Sequence, residues 1–128
     1  MVTRQSELLR VLGQIANELP QPHWVALVDS NGLVMSCVPT SPAVPADTIA
    51  AMTAALAQLG QRSLTELEGG RLRVINVTGA KRQLVLVLLK GEHLLSVGLG
   101  PDVPAQTIFA PLSRWIPELL EVLDRRFG

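Results

Sequence analysis

Residues 71–100 read RLRVINVTGAKRQLVLVLLKGEHLLSVGLG, and this stretch decides the fold. It contains three apolar runs, which are Leu72–Thr78, Leu84–Leu89 and Leu94–Leu99. Two short segments separate the runs, Thr78–Lys81 and Lys90–His93, and each holds the glycine and polar residues that a β-hairpin turn requires. The stretch therefore predicts three antiparallel strands joined as a meander.

The middle run of this stretch, Leu84–Leu89, is apolar at every position instead of at every second one. A strand of this kind is typical of a sheet that is covered on both faces. We therefore expect other parts of the chain to pack on each side of the meander.

The composition limits the class of protein and its partners. The chain has 128 residues, so we expect a single domain over residues 1–128. Lys plus Arg and Asp plus Glu number 11 each, and this balance disfavours nucleic acid or an anionic membrane as a partner. Hydrophobic residues reach 48% and charged residues only 17%, which indicates that part of the surface is used for association.

The cysteine content and the hydropathy pattern predict a cytoplasmic location. Cys37 is the only cysteine, so it cannot form an internal disulfide, and a buried free thiol is typical of a reducing compartment. No segment has the uninterrupted apolar character of a signal peptide or of a membrane span. We therefore expect a cytoplasmic protein that does not insert into a membrane.

The N-terminal part predicts one helix and one hairpin. Apolar residues recur at helical spacing over Ser6–Leu19, which indicates an amphipathic helix that covers a core. The apolar runs Trp24–Val28 and Leu33–Val38 flank Asp29–Gly32, whose Asn and Gly tolerate the backbone angles of a tight turn. These two runs are expected to pair with each other, apart from the meander.

A proline-rich connection leads to a long second helix. This helix is predicted from about Ala46 to Leu67, with Asp47 or Thr48 as its N-terminal cap. One side carries a stripe of mostly apolar residues that is expected to face the sheet, namely Ile49, Met52, Leu56, Leu59, Ser63 and Leu67. Gly60 interrupts the stripe, and it indicates either a close approach to the strands or a weak break.

The opposite side of the second helix is small or neutral and carries one charge among eight residues, which are Ala50, Ala51, Ala54, Ala57, Gln58, Gln61, Arg62 and Thr65. A solvated helix face ordinarily carries more lysine and glutamate. We therefore expect this face to pack against the same helix of a second copy. The alternative is that alanine is simply a strong helix former on a solvated face.

A last helical segment is expected after Pro101 and Pro104 and runs to Phe127. Its apolar side consists of Ile108, Leu112, Trp115, Ile116, Leu119, Val122, Leu123 and Phe127. Pro111 and Pro117 are each expected to start or kink a segment, because proline cannot donate a backbone hydrogen bond.

No combination of residues indicates catalysis, a cofactor or a metal. The two histidines, His23 and His93, lack the spacing of metal ligands. A pair of Cys37 and His23 remains open as a nucleophile and base, although nothing in the sequence activates the thiol. The glycines at 69–70 and 98–100 lack the lysine and the following helix of a phosphate-binding loop. We therefore expect a protein that is not an enzyme.

A small basic patch accompanies the first strand of the meander. Arg71 and Arg73 share one face of the strand, and Lys81 and Arg82 lie at its turn. Such clusters are usually solvated edges that discourage aggregation, and a site for an anion or a partner is the other interpretation.

The order helix, hairpin, long helix, meander, helix, together with the Asp-x-x-Gly-Leu turn at Asp29–Leu33, resembles the Roadblock family of dynein light chains and bacterial small-GTPase regulators. The resemblance extends from Ser6 to about Phe127. It implies an α/β (α+β) fold in the order αββαβββα, with a five-stranded antiparallel sheet and helices on both faces, similar to longin and profilin domains.

The resemblance also implies a homodimer and a partner. Family members commonly pair their long helices and extend the sheet through the first meander strand, here Ala50–Thr65 and Arg71–Val77. This adds Arg71, Arg73 and Ile75 to the predicted interface. The bacterial relatives bind a Ras-like GTPase on the dimer, and some accelerate GTP hydrolysis. Our leading interpretation is therefore a homodimeric module that binds and regulates a small Ras-like GTPase.

Two alternatives stay open at this point. The first is a scaffold subunit of a larger assembly that has no effect on a GTPase. The second is a small-molecule sensor whose ligand lies between sheet and helix, near Trp24, Met35 and Met52. The fully apolar middle strand favours a filled core over a cavity, so the sensor ranks below the scaffold.

Overall fold

Three α-helices and five β-strands make up the part of the chain that the computed structural model describes, residues 2–127. In chain order they are α1 (Arg4–Glu18), β1 (Trp24–Asp29), β2 (Val34–Val38), α2 (Ala46–Glu66), β3 (Val74–Thr78), β4 (Gln83–Leu88), β5 (His93–Leu99) and α3 (Phe109–Asp124), with a 3₁₀ turn at Ala105–Ile108 before α3. The order αββαβββα is therefore confirmed.

The five strands form one antiparallel sheet in the order β2-β1-β5-β4-β3. The meander β3-β4-β5 is formed as the sequence predicts. Strand β1 pairs with β5, on the side of β5 that faces away from β4. One row across the sheet shows the register, because Ile75 lies opposite Leu86, Leu86 opposite Ser96, and Ser96 opposite Ala26. Strands β2 and β3 are the two edges.

Helices cover both faces of the sheet, as expected from the middle strand. Helices α1 and α3 cover one face through a core that contains Leu12, Leu119 and Val85. Helix α2 covers the other face through a second core that contains Ile49 and Leu86. Neighbouring residues of β4 therefore point into different cores, which explains why an apolar residue is needed at both positions.

Ion pairs join α1 to α3 in the layer that these two helices form on one face of the sheet. The Arg10 guanidinium lies 2.8 Å from Glu7 and 2.5 Å from Glu118, and Arg125 lies 3.3 Å from Glu7. The hydrogen bond from Arg10, and then the one from Arg125, hold the pKa of Glu7 below its usual value, although burial opposes this shift. The C-terminal helix is therefore docked on α1 by charge as well as by its apolar side.

The start of α1 and the start of α2 differ from the predictions. Helix α1 begins at Arg4, before Ser6, because Thr3 and Ser6 form a capping box with two 3.0 Å hydrogen bonds. Helix α2 follows Pro45 without any side-chain cap. The prediction of a cap at Asp47 or Thr48 was wrong, because both residues already lie inside the helix.

The C-terminal helix was predicted too long at its end. It stops at Asp124 and does not reach Phe127. Pro111 lies in the first turn, where a missing backbone N–H is tolerated, whereas Pro117 lies inside the helix. One helix runs through Pro117, so this proline does not start a segment of its own, and a kink at Pro117 stays a prediction.

Helix α2 is rotated about its axis relative to the prediction. The residues that it buries are Ile49, Ala50, Thr53 and Ala54. Four members of the predicted sheet-facing stripe are exposed instead, namely Met52 (54%), Leu59 (63%), Ser63 and Leu67 (76%). The prediction that these four residues face the sheet was therefore wrong.

Two glycines explain the rotation. A Cβ atom at Gly32 would lie 3.5 Å from the Ala51 Cα and 3.6 Å from the Ala54 Cβ, so the β1–β2 turn lies in direct contact with α2. A Cβ atom at Gly60 would lie 2.6 Å from Cδ1 of Ile75, which confirms the close approach of helix and strand. Ala50 and Ala54 pack against the sheet with Ile49 because the helix lies so near to it.

Candidate interaction surface

Strand β3 is an open edge of the sheet. It pairs with β4 on one side, and no other described segment pairs with its second side. Its side chains are largely exposed, including Val74 (41%) and Val77 (46%). An exposed edge with apolar side chains is a template for pairing with another strand. The other edge, β2, differs because Ser36 and Cys37 are buried and α1 packs beside it.

An exposed apolar stripe of α2 belongs to the same face as this edge. Met52, Leu56 and Leu59 follow one another at helical spacing, and Leu56 is half-buried. The contact of Gly60 with Ile75 places α2 directly over β3, and Val77 shares the face of Ile75. We define the α2–β3 surface as Met52, Leu56, Leu59, Ile75 and Val77. Among the described residues, no other segment packs over this part of α2 and β3.

A groove of about 560 Å³ lies on the other side of α2, between the helix and the end of the sheet where the β1–β2 and β4–β5 turns lie. Seven residues of the predicted interface line it, namely Ala54, Ala57, Gln58, Gln61, Arg62, Thr65 and Arg71. The structure therefore brings these seven residues together.

The other residues of the predicted interface lie elsewhere. Ala50 is fully buried against the sheet, so its side chain is not open to a partner, and Ala54 is nearly as buried although it borders the groove. Ala51 and Arg73 are exposed, and Ile75 is half-buried beneath Gly60. The interface as a whole stays a prediction, with Ala50 removed from it, and Ile75 is the residue that it shares with the α2–β3 surface.

The side chain of Gln61 fixes the segment that leads into β3. Its Nε2 donates to the Gly70 carbonyl at 3.2 Å, and its Oε1 accepts from the Leu72 N–H at 2.9 Å. Gly70 has a φ angle of 82°, which favours glycine. A single amide thus holds the start of the edge strand against α2, so Arg71 has a defined position at the border of the groove.

The core beneath α2 is filled around Trp24. Its Nε1 donates to the Ser96 hydroxyl at 3.0 Å, and its ring lies against Gly98, where a Cβ atom would come within 2.5 Å of it. The Arg82 guanidinium lies 5.4 Å from the ring centroid, within the range of a cation–π contact. Burial, and then the charge of Arg82, lower the pKa of His23 next to this cluster.

The residues proposed for a small-molecule site do not share one site. Trp24 belongs to the core beneath α2, Met35 packs on the core beneath α1 and α3, and Met52 is exposed. The sensor prediction was therefore wrong in its placement of the ligand. A helix that sits close to the sheet leaves no shared cavity between these three residues.

The thiol of Cys37 lacks the environment of a nucleophile. Cys37 is buried, and burial raises the pKa of its thiol, which opposes formation of the thiolate. Within residues 2–127, no three His, Cys, Asp or Glu residues are grouped as a metal site would require. Over the same residues, no helix has the length and the hydropathy needed to cross a membrane.

Sequence reasoning missed Met52 and Leu59 as surface residues. The amphipathic pattern placed the larger side chains inside, which is the usual result of such a pattern. The available signal was the pair of Gly32 and Gly60, since glycines that face a helix or lie within it indicate close packing. Read together with Ala50 and Ala54, they indicate that the buried side of α2 includes part of its small side.

A five-stranded sheet with one open edge beside an exposed helix face defines a small α/β domain whose free surface suits association. The chain belongs to the Roadblock/LC7 domain family, whose model matches residues 12–98, from α1 to β5. No match was found among the curated proteins.

Solved structures support the same fold. The Roadblock/LC7 domain from Streptomyces avermitilis is 19% identical, with a TM-score of 0.82 over 91% of this chain and 98% of that chain. Myxococcus xanthus MglB is 16% identical, with a TM-score of 0.82 over 100% and 98% of the two chains. The gliding protein MglB from Thermus thermophilus is 19% identical, with a TM-score of 0.79 over 95% and 92%. At these identities the likeness shows the fold.

Proposed function

We propose that this chain is a homodimeric interaction module that binds and regulates a small Ras-like GTPase in the cytoplasm. Membership of the Roadblock/LC7 family supports the class of function. The observation that carries the proposal is the open edge of β3 beside the exposed apolar side chains of α2.

The dimer in this proposal uses the α2–β3 surface. Two copies related by a two-fold axis would pair β3 with β3 in antiparallel fashion, which satisfies the backbone groups of both edges. The same axis would bring Met52 and Leu59 of one copy toward those of the other. Burial of these exposed side chains, together with Val77, supplies a hydrophobic contribution that the monomer lacks.

The proposal assigns no chemical step to the chain itself. Regulation would act through contacts on the GTPase, whose own residues and nucleotide perform hydrolysis. The polar outer side of α2, with Gln58 and Arg62 exposed, supplies hydrogen-bond donors and acceptors for such contacts. A scaffold role corresponds to the same binding without any change in the hydrolysis rate.

A pair of charge substitutions tests the dimer. Leu59 and Leu33 are both 63% exposed, but only Leu59 belongs to the α2–β3 surface. We expect Leu59→Glu to place an unpaired charge in the interface at a cost of about 3 kcal/mol or more, which raises the dimer dissociation constant more than about 100-fold. Leu33→Glu should leave the mass in sedimentation unchanged. A Leu59→Glu protein that stays as dimeric as the wild type would refute the assignment.

Single-turnover GTP hydrolysis tests the regulatory part. The Ras-like GTPases of the source genome would be measured with and without a molar excess of this chain. Faster hydrolysis that is lost in Leu59→Glu and kept in Leu33→Glu supports an activator that works as a dimer. Binding without acceleration supports the scaffold, and the absence of binding to every one of them contradicts the proposal.

A further inference from the structure

The backbone between α2 and β3 is anchored by backbone hydrogen bonds at its two ends. After the helix, the Gly69 N–H donates to the Leu64 carbonyl at 2.7 Å. Before the strand, the Leu88 N–H donates to the Arg73 carbonyl at 2.9 Å, which continues the ladder with β4. Residues 70–72 lie between these anchors, and no backbone hydrogen bond to another described residue holds them.

The side-chain amide of Gln61 supplies the bonds that residues 70–72 lack. Its Nε2 donates to the Gly70 carbonyl, and its Oε1 accepts from the Leu72 N–H. This arrangement requires a donor and an acceptor together at the end of one side chain, and a glutamine amide provides both. Methionine has a similar length but neither group, and glutamate at neutral pH has the acceptor without the donor.

The clamped segment is one that moves easily when it is released. It begins at two consecutive glycines, Gly69 and Gly70, and glycine loses more backbone freedom on ordering than any other residue. Without the amide, the remaining restraint within the segment is the Leu72 side chain, which is 5% exposed and packs beside Gly60. The bonds from Gln61 therefore decide how firmly residues 70–72 are held against α2.

The proposed dimer needs α2 and β3 in a fixed relation to each other. Gln61 follows Leu59 by two residues on α2, and Leu72 precedes the first residue of β3, Val74, by two residues. The clamp therefore joins the two parts of the α2–β3 surface at the beginning of the edge strand. A surface made of two parts binds more tightly when both are already held in the bound arrangement, because less order has to be created on association.

We propose that Gln61 is a positioning residue of the dimer. By holding residues 70–72 against α2, it fixes the open edge of β3 in the place from which this edge pairs with a second copy. This inference rests on the proposed homodimer and deepens it, because it assigns the geometry of the interface to a side chain whose amide is turned toward its own chain.

Replacement of the amide tests the effect on association. Gln61→Met removes both hydrogen bonds, and Gln61→Glu keeps the acceptor for the Leu72 N–H. Gln61→Met should raise the dimer dissociation constant at least about tenfold in sedimentation, because residues 70–72 of both copies must then be ordered when the edges pair. Gln61→Glu should raise it less.

Hydrogen exchange of the Leu72 N–H measures the clamp itself. At concentrations where the chain is monomeric, this amide should exchange faster in Gln61→Met than in the wild type, and Gln61→Glu should lie between them. An exchange rate that is the same in Gln61→Met as in the wild type would show that the amide does not hold the segment, and it would overturn the inference.

A second variant disturbs the segment without changing Gln61. Gly70 has a φ angle of 82°, and a Cβ atom there would have no neighbour within 4 Å, so Gly70→Ala acts through backbone strain alone. It should also raise the dimer dissociation constant. A wild-type value in Gly70→Ala, together with a weakened Gln61→Met dimer, would indicate that Gln61 contacts the second copy directly, and this result contradicts the positioning role.

Two control variants separate association from stability. Gln14→Met makes the same chemical change at an exposed position of α1, and it should leave the dimer dissociation constant unchanged. Gln83→Met removes a different clamp, in which the buried Gln83 amide donates to the Gly100 carbonyl at 2.9 Å. It should lower the free energy of unfolding in urea without weakening the dimer, because the loop after β5 lies outside the α2–β3 surface.

The outcomes distinguish this inference from the proposed function. A Gln61→Met protein that dimerises as the wild type does, while Leu59→Glu separates the copies, overturns the positioning role alone. A Gln83→Met protein whose dimer is weakened as much as that of Gln61→Met also overturns it, because the effect would then follow from stability. A wild-type chain that is monomeric overturns both the positioning role and the proposed homodimer.

Discussion

The contact between Gly98 and Trp24 gives the sharpest prediction about stability. Replacement of Gly98 by alanine would place the new Cβ 2.5 Å from Cδ2 and 2.6 Å from Cε2 and Cε3 of the Trp24 ring. A fused aromatic ring cannot bend away, so Trp24 must move as a unit. That movement breaks the buried 3.0 Å hydrogen bond from Trp24 to Ser96 and withdraws the ring from Arg82.

The cost of Gly98→Ala follows from these contacts. Overpacking of a filled core costs about 1–3 kcal/mol, and the lost buried hydrogen bond adds about 1 kcal/mol. We therefore expect the free energy of unfolding to fall by about 3 kcal/mol. Urea unfolding monitored by tryptophan fluorescence measures this change, and the displaced ring should also alter the emission of the native state.

A matched glycine provides the control for this prediction. A Cβ atom at Gly13 in α1 would have no neighbour within 4 Å, so Gly13→Ala should stabilise the chain by up to about 1 kcal/mol through helix propensity. The double variant Gly98→Ala/Trp24→Leu removes the ring, so Gly98→Ala should cost much less in that background. A Gly98→Ala protein within about 0.5 kcal/mol of the wild type would refute the reasoning.

Two further predictions concern the core and the layer of α1 and α3. Leu86→Ala opens a cavity in the fully buried middle of the sheet and should lower the free energy of unfolding by about 2–5 kcal/mol, whereas Val74→Ala at the exposed edge should cost less than about 1 kcal/mol in urea unfolding. The pKa of Glu7 is lowered by Arg10 and Arg125, so its stabilising effect is present above the ordinary pKa of glutamate and is lost as the pH falls through the lowered value. In thermal unfolding between neutral pH and about pH 3, Glu7→Gln should therefore lose less stability than the wild type, and equal losses would contradict the role of these ion pairs.

The elements of the fold could be predicted because their signals are local. Turn residues at Asp29–Gly32 and Lys90–His93 separate apolar runs, and each run becomes a strand within a residue or two of the prediction. The apolar character of Leu84–Leu89 also predicts correctly that both faces are covered, because one strand cannot bury two faces without two layers. These inferences need no knowledge of how distant segments meet.

The orientation of α2 could not be predicted in the same way. Hydrophobicity favours burial of Met52 and Leu59. The distance between helix and sheet, however, is set where Gly32 contacts α2 and where Gly60 of α2 contacts β3. Both contacts join parts of the chain that are distant in sequence. At that distance Ala50 and Ala54 pack against the sheet beside Ile49, and Met52 and Leu59 stay exposed. Close packing, a tertiary property, therefore outweighs the amphipathic pattern here.

The candidate site was predicted in part for the same reason. One side of α2 carries few charges, as the sequence indicates. Most residues of that side line the groove between α2 and the end of the sheet. The exposed apolar side chains beside β3 were assigned to the core, although they form the surface on which the proposed dimer depends. The residues of the first meander strand that lead into β3, including Arg71, were assigned to the interface by resemblance alone.

Nucleotide-dependent binding tests the central claim most directly. Sedimentation of this chain with a Ras-like GTPase of the source genome, in the GDP form and in the form bound to a GTP analogue, measures both the dimer and the complex in one experiment. The account predicts a complex that contains the dimer, that depends on the nucleotide, and that Leu59→Glu abolishes while Leu33→Glu does not. A GTPase that sediments unchanged in both forms beside a stable dimer would contradict the claim.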